Sequence, residues 1–158
     1  MNSEEKIAYQ IDALFGKGVS SVIPKEISFD YSKKTGRIKS FAINNELIGT
    51  LRSDGGIALT ILGASILLNN RGFKQNCIIP IHDALPFVSE GRSLFCKHVA
   101  WFGSNTNIGS EVVVIDKNGD VLAVGKSVVS QSQLRGRIGD VAVKVREGIK
   151  SRVEQPKL

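Results

Sequence analysis

The sequence predicts an α+β protein built as two small units, and three observations carry that expectation. Residues 1–73 pass from an apolar stripe of helical spacing, through alternating runs punctuated by turns, to a second helical stripe. From Asn76 onward short apolar runs are separated by Gly, Asn and Asp turn signals, with a strand–helix–strand–hairpin–turn–strand order that suits a small mixed barrel. The length of 158 residues accommodates two such units, but not a (β/α)₈ barrel, which needs roughly 200 or more.

In the first unit, Ile7, Ile11, Leu14 and Phe15 fall on one helical face over Ser3–Phe15. Ser3 stands where an N-cap is expected, Glu4 and Glu5 suit the first turn, and Gly16-Lys17-Gly18 ends the run. Ile27–Tyr31 and Arg37–Ile43 alternate with period two around Lys33-Lys34-Thr35-Gly36. Asn44-Asn45 marks the next turn, and Glu46–Arg52 and Gly56–Thr60 flank Asp54-Gly55 as another hairpin. Ile61–Asn69 reads as the second helix. In the second unit the expected elements are a strand at Cys77–Ile79, a helix at Ile81–Ser89 despite Pro86, and a strand at Ser93–Val99. A hairpin of Glu111–Asp116 and Val121–Val129 follows around Lys117–Asp120, then a helical turn at Leu134 and a last strand at Asp140–Arg146. The domain boundaries expected are 1–73, 74–150 and a basic tail at 151–158.

Charge narrows the partners. The net charge is +6, and from Lys126 to the end eight Lys or Arg stand against three acids, a net +5. A basic excess favours polyanions, and the plainer reading of the same residues is a solvated tail. The N-terminus lacks a basic start followed by an apolar stretch, and no apolar run reaches the roughly 18 residues of a membrane span. A cytoplasmic protein without membrane attachment is expected.

Catalytic and metal chemistry find little to stand on. His82 and His98 are the two histidines, and there is no paired-carboxylate frame; Gly16-Lys17-Gly18 lacks the rest of a phosphate loop. Neither an enzyme nor a cofactor is expected. Cys77, His82, Cys96 and His98 include every soft ligand except Met1, yet gaps of four and one residues are not usual zinc spacings. Reduced, buried cysteines and no metal are the expectation.

One cluster points elsewhere. Gly91 follows a helix and precedes a strand, with Arg92, Ser93 and Lys97 close behind. A helix end, a glycine and two cations within seven residues can form a phosphate-positioning edge; a plain capped turn with a solvated arginine explains the same spacing.

Four blocks in order carry a family resemblance. Phe87–Val99 resembles the helix–glycine–strand opening of PUA domains. Ile108–Ile115 looks like their next strand, with Ser110 where Asp is common. Leu122–Ser127 is similar to their signature strand, and Gly139–Arg146 to the closing one. Residues 9–72 are more loosely similar to the small α+β domain that precedes the PUA domain in archaeal archaeosine-forming tRNA-guanine transglycosylase and archaeosine synthase. The resemblance lies in Phe15–Gly18, Ser32–Ile38 and Thr50–Gly56. The catalytic barrel of those enzymes has no counterpart here, so the chain looks like their RNA-holding end alone.

The resemblance implies a PUA-type mixed β pseudo-barrel and binding of structured RNA, tRNA above all, at its acceptor stem and 3′ end. Carried over residue by residue, the contact turn is Ser89, Glu90, Gly91, Arg92 and Ser93, with Leu94 and Lys97 on the adjoining strand. Arg135, Arg137, Lys144 and Arg146 join it on charge alone. Phe95 or Phe102 is a candidate to stack a base, Phe95 being otherwise a core residue of an apolar strand. The alternatives are a non-catalytic subunit bound to a catalytic tRNA-modifying partner chain, and a structural PUA domain that binds no RNA.

Overall fold

The computed structural model describes residues 1–151, so the expected tail beyond Ser151 lies outside the described residues. The chain divides into two compact units, one ending at Lys74 and the next beginning at Gln75. The first holds helix α1 (Ser3–Phe15), a four-stranded antiparallel meander and helix α2 (Ile61–Leu67); the strands are β1 (Ser28–Tyr31), β2 (Ile38–Ile43), β3 (Glu46–Leu51) and β4 (Ile57–Leu59). Asn2, not Ser3, caps α1: its side chain accepts the Glu5 amide at 2.8 Å, which leaves Ser3 helical and hydrogen-bonded to the Tyr31 hydroxyl. Ile7, Ile11 and Phe15 are buried as the spacing predicts, whereas Leu14 is only half-buried.

Asn44 and Asn45 both adopt positive φ, the backbone a two-residue hairpin turn demands, and so β2 returns directly as β3. Thr60 caps α2 by accepting the Gly63 amide. The helix stops two residues short of the expected Asn69. Gly63 is the hinge of this packing. A Cβ there would sit 2.1 Å from the Ile48 carbonyl oxygen, so α2 rides on β3 at a distance only glycine allows. Phe41, Ile48, Leu59, Leu67 and Phe73 fill the core, with Phe73 edge-on to Phe15.

The second unit runs β5 (Cys77–Pro80), α3 (Leu85–Ser89), β6 (Leu94–Phe95), β7 (Val99–Phe102), β8 (Glu111–Ile115), β9 (Val121–Ser127) and β10 (Val141–Gly148). Their order in the sheet is β6-β10-β9-β8-β5-β7, antiparallel except for the parallel β5–β8 pair. The fold is a nearly closed six-stranded mixed barrel around Ile78, Leu94, Val112, Val114, Ala123 and Val143. The expected helix at 81–89 is a 3-10 turn, His82–Ala84, followed by α3. Pro86 lies in the first turn of α3, where its missing N–H breaks no helical bond.

The expected strand at 93–99 is broken. After β6 the residues Cys96–His98 form a 3-10 turn, and β7 starts only at Val99. This break closes the barrel: β6 and β7 are opposite ends of the sheet order, yet three residues join them. The turn is stitched to the loop before β10, since the Cys96 amide donates to the Asp140 carbonyl and the Lys97 amide to that of Ile138. Its last residue, His98, accepts from the Ile81 amide. The helical turn expected at Leu134 is a pair of 3-10 turns, Gln131–Gln133 and Arg135–Arg137, in that same loop.

Gly63→Ala is expected to lower unfolding free energy by about 3 kcal/mol, the upper end of overpacking penalties, because the added methyl meets backbone. Ser65→Ala on the same helix is the neutral control, and Asn2→Ala should cost about 1 kcal/mol through the lost cap. Urea titration of the three variants checks all of this.

Candidate nucleic-acid interface

The α3 terminus is a complete Schellman closure. Gly91, at φ +99°, donates its amide to Val88 and the Arg92 amide donates to Phe87, the two bonds that define the motif. The contact that usually seals such a cap is hydrophobic; here the Arg92 guanidinium lies over the Phe87 ring, 5.6 Å from its centroid. Both side chains are exposed. The capped-turn reading of Gly91 therefore holds, and the amides of Gly91 and Arg92 already have partners within the chain.

The space that the glycine leaves open is also taken. A Cβ on Gly91 would lie 3.4 Å from the Ser151 hydroxyl, and one on Gly148 would lie 2.4 Å from the Ser89 carbonyl oxygen. The end of β10 is thus pressed against the turn, and the Lys150 amide donates to Ser89 at 2.8 Å. Of the residues expected at this edge, Ser89 is buried with its hydroxyl on the Leu85 carbonyl, and Leu94 is 1 % exposed in the barrel core. They hold the turn in place but present no side chain outward. Ser93 is half-buried, and Glu90 and Arg92 are exposed, a carboxylate beside a cation.

The other cations fall in two further places. Lys144 is exposed on β10, in register with Lys126 on β9, which pairs in turn with Glu111 on β8. Arg146 occupies a β-bulge between Val145 and Glu147, and its guanidinium grips both carboxylate oxygens of Glu111, one of them at 3.0 Å. The bulge brings the β10 backbone so close to Gly125 that a Cβ there would be 2.3 Å from the Lys144 carbonyl. Arg146 is therefore balanced locally, while Lys144 and Lys126 leave this strip positive.

Lys97, Arg135 and Arg137 gather at the barrel seam. A groove of about 900 Å³ runs there between β7 and the 3-10 turns, with Lys97, Trp101, Gln131, Leu134, Arg135 and Ile138 among its lining. Cys96 forms part of the wall; burial, and then the Asp140 carboxylate, push its thiol above the ordinary range, against a smaller opposite pull from Arg137. A protonated, inert thiol at neutral pH follows. Among the described residues no group of three His, Cys, Asp or Glu side chains converges on a metal site. None of their helices is long and apolar enough to cross a membrane.

Two aromatic expectations change. Phe102 is buried at 6 %, and Phe95 is the exposed one at 39 %, edge-on to His98. Phe95 sits at the sheet's edge beside the broken turn, where the barrel no longer covers it. The groove itself, with Trp101 and Ile138, escaped the sequence reading because no local pattern announces the break at Cys96. A lone tryptophan just after Lys97-His98 is the one signal that pointed there.

Comparison with known proteins finds relatives of both units. Residues 82–149 match the PUA domain, and residues 6–72 match the patch-forming domain C2 of tRNA-guanine transglycosylase. The tRNA-guanine(15) transglycosylase of Thermoplasma volcanium is 34% identical over 145 residues, covering 91% of this chain and 23% of that protein. Its counterpart in Picrophilus torridus is 33% identical over 118 residues, covering 75% and 19%. The chain thus spans less than a quarter of the length of these relatives. Among solved structures, a hypothetical protein of the archaeon Pyrococcus horikoshii superposes with a TM-score of 0.71 at 17% identity, over 95% of this chain and 92% of that one. A conserved PUA-domain protein of Thermoplasma acidophilum gives 0.67 at 15%, over 93% and 91%; at these identities the likeness is one of fold. With both units matched in order and the barrel observed, the chain is a PUA-domain protein that resembles the C-terminal region of archaeal archaeosine tRNA-guanine transglycosylase.

Proposed function

We propose that this protein binds structured RNA through its PUA domain and serves tRNA modification, docking the acceptor stem and 3′ end of tRNA. The observation that carries the proposal is the conjunction of a PUA domain with a transglycosylase-type C2 domain in one chain. Cation placement supports it: Arg92 at the α3 turn, Lys144 and Lys126 on the outer strands, and Lys97, Arg135 and Arg137 at the seam. A-form RNA hides its base edges in a deep groove, so a protein that grips it neutralises phosphates and reads shape and unpaired ends. In this reading residues 1–73 and 74–150 are the two functional domains. Arg92, Lys97, Arg135, Arg137 and Lys144 are the phosphate contacts, with Arg146 joining them after exchanging Glu111 for phosphate. Glu90, Gly91 and Ser93 set the turn's shape, and Ser89 and Leu94 support it from within. The chemistry would come from a catalytic tRNA-modifying partner, in line with relatives in which this region is under a quarter of the whole. No cofactor is invoked.

Titrating tRNA at several salt concentrations tests this, with intact tRNA and with tRNA lacking its 3′-terminal nucleotides. Affinity should fall steeply with salt and drop again on loss of the 3′ end. Arg92→Ala should weaken every RNA alike and reduce the log–log salt slope by about 0.9. Binding that ignores salt and does not distinguish tRNA from other polymers overturns the reading.

A further inference from the structure

The seam groove shares Lys97 with the turn-centred docking that the family resemblance implies, but its aromatic and aliphatic lining lies outside that turn, and its composition is specific. One wall is β7, an edge strand of the barrel sheet, and it supplies half-buried Trp101. Leu134 and Ile138 add apolar surface from the loop before β10, and Ile138 is 58 % exposed although nothing in a closed core requires it there. Lys97 and Arg135 line the same groove, and both are exposed. Among the described residues no carboxylate forms an ion pair with either; Asp140, the acid that acts on the Cys96 thiol, is opposed there by Arg137. Gln131 and Ser132 bring amide and hydroxyl groups to the opening.

An aromatic and aliphatic surface between two cations, edged by amide and hydroxyl groups, matches the three parts of a nucleotide. A π-face suits any base, since stacking on aromatic side chains is tolerant of sequence. Cations suit the phosphate, and an amide with hydroxyls suits a base edge. A volume of about 900 Å³ lies in the range of small-ligand sites and admits a nucleotide with room to spare. A paired base cannot present its face, so the occupant must be unstacked. An extended acidic peptide would satisfy the cations, but its side chains offer nothing that stacks on an aromatic face.

We propose that the barrel seam is a pocket for one unstacked RNA nucleotide, with its base against Trp101 and Ile138 and its phosphate on Lys97 and Arg135. This deepens the RNA reading above and rests on it for the source of the nucleotide. The consequence is a division of labour: the α3 turn and outer strands hold the folded RNA, and the seam captures a base that has left the stack.

Trp101 is the chain's one tryptophan, so its emission reports on this groove alone. The experiment titrates the full chain with a single-stranded RNA tetranucleotide, a blunt RNA duplex, a poly-glutamate peptide and a dye-labelled tRNA, following Trp emission and, for tRNA, anisotropy. The tetranucleotide should quench Trp101 in a salt-dependent way and the duplex should not. Arg135→Ala and Lys97→Ala should each weaken the tetranucleotide several-fold and flatten its salt slope by about 0.7. Trp101→Leu, followed by a dye on the tetranucleotide, should weaken it roughly tenfold. Arg135 lies in an exposed loop, so its variant keeps the test sound even if Trp101→Leu fails to fold. Binding of tRNA with unchanged Trp emission overturns the pocket and leaves the RNA reading standing. Quenching by the tetranucleotide without tRNA binding supports the pocket and overturns the tRNA reading. Quenching by poly-glutamate, with none by RNA, overturns the pocket in favour of a protein partner.

Discussion

The second unit depends on three residues that must carry the chain from one end of a six-stranded sheet to the other. Leu94–Phe95 pairs with β10 and Val99–Phe102 with β5, and these are the two extremes of the strand order. Cys96–His98 spans them as a 3-10 turn, and such a turn leaves amides that a strand would have paired. The carbonyls of Asp140 and Ile138 accept two of them, which draws the loop before β10 onto the seam. The same two bonds place Arg135, Arg137 and Ile138 beside Lys97 and Trp101. Barrel closure and the groove are therefore one event, and a change that frees the Cys96 or Lys97 amide would disturb both.

Charge acts here by where it is left unbalanced rather than by its total. The bulge at Arg146 turns a guanidinium toward Glu111, whose side chain is only 5 % exposed, and the pairing balances a nearly buried carboxylate while removing a cation from the surface field. Glu90 offsets part of the charge that Arg92 brings to the α3 turn. At the seam, Lys97 and Arg135 have no such partner among the described residues. The cations left without an ion-pair partner among the described residues are therefore found at the seam as well as beside Gly91.

Glycine marks the points where the fold tolerates no side chain, and these divide into two kinds. Gly91 is required by backbone angle at the close of α3. Gly63, Gly125 and Gly148 are required by proximity, each facing a carbonyl oxygen of a neighbouring element at 2.1 to 2.4 Å from where a Cβ would stand. The first kind is visible from its neighbours in the chain, a helix before and a strand after. The second kind is visible only when the partner element is known, which is why Gly148 did not suggest that β10 presses on the contact turn.

The sequence by itself determined what near neighbours decide. Helix α1 and its buried face, the Asn44-Asn45 hairpin and the glycine closure after α3 were all legible, because each arises from residues close together along the chain. Leu94 and Cys96 are buried both in a continuous strand and in a strand followed by a 3-10 turn, so alternation could not reveal the break between them. Only the tertiary structure decided that Leu94 and Ser89 face inward, that Arg146 is spent on Glu111, and that Lys97, Arg135 and Trp101 share a groove. Those outcomes depend on strand order and on contacts between residues more than thirty positions apart, and periodicity along the chain carries no information about either.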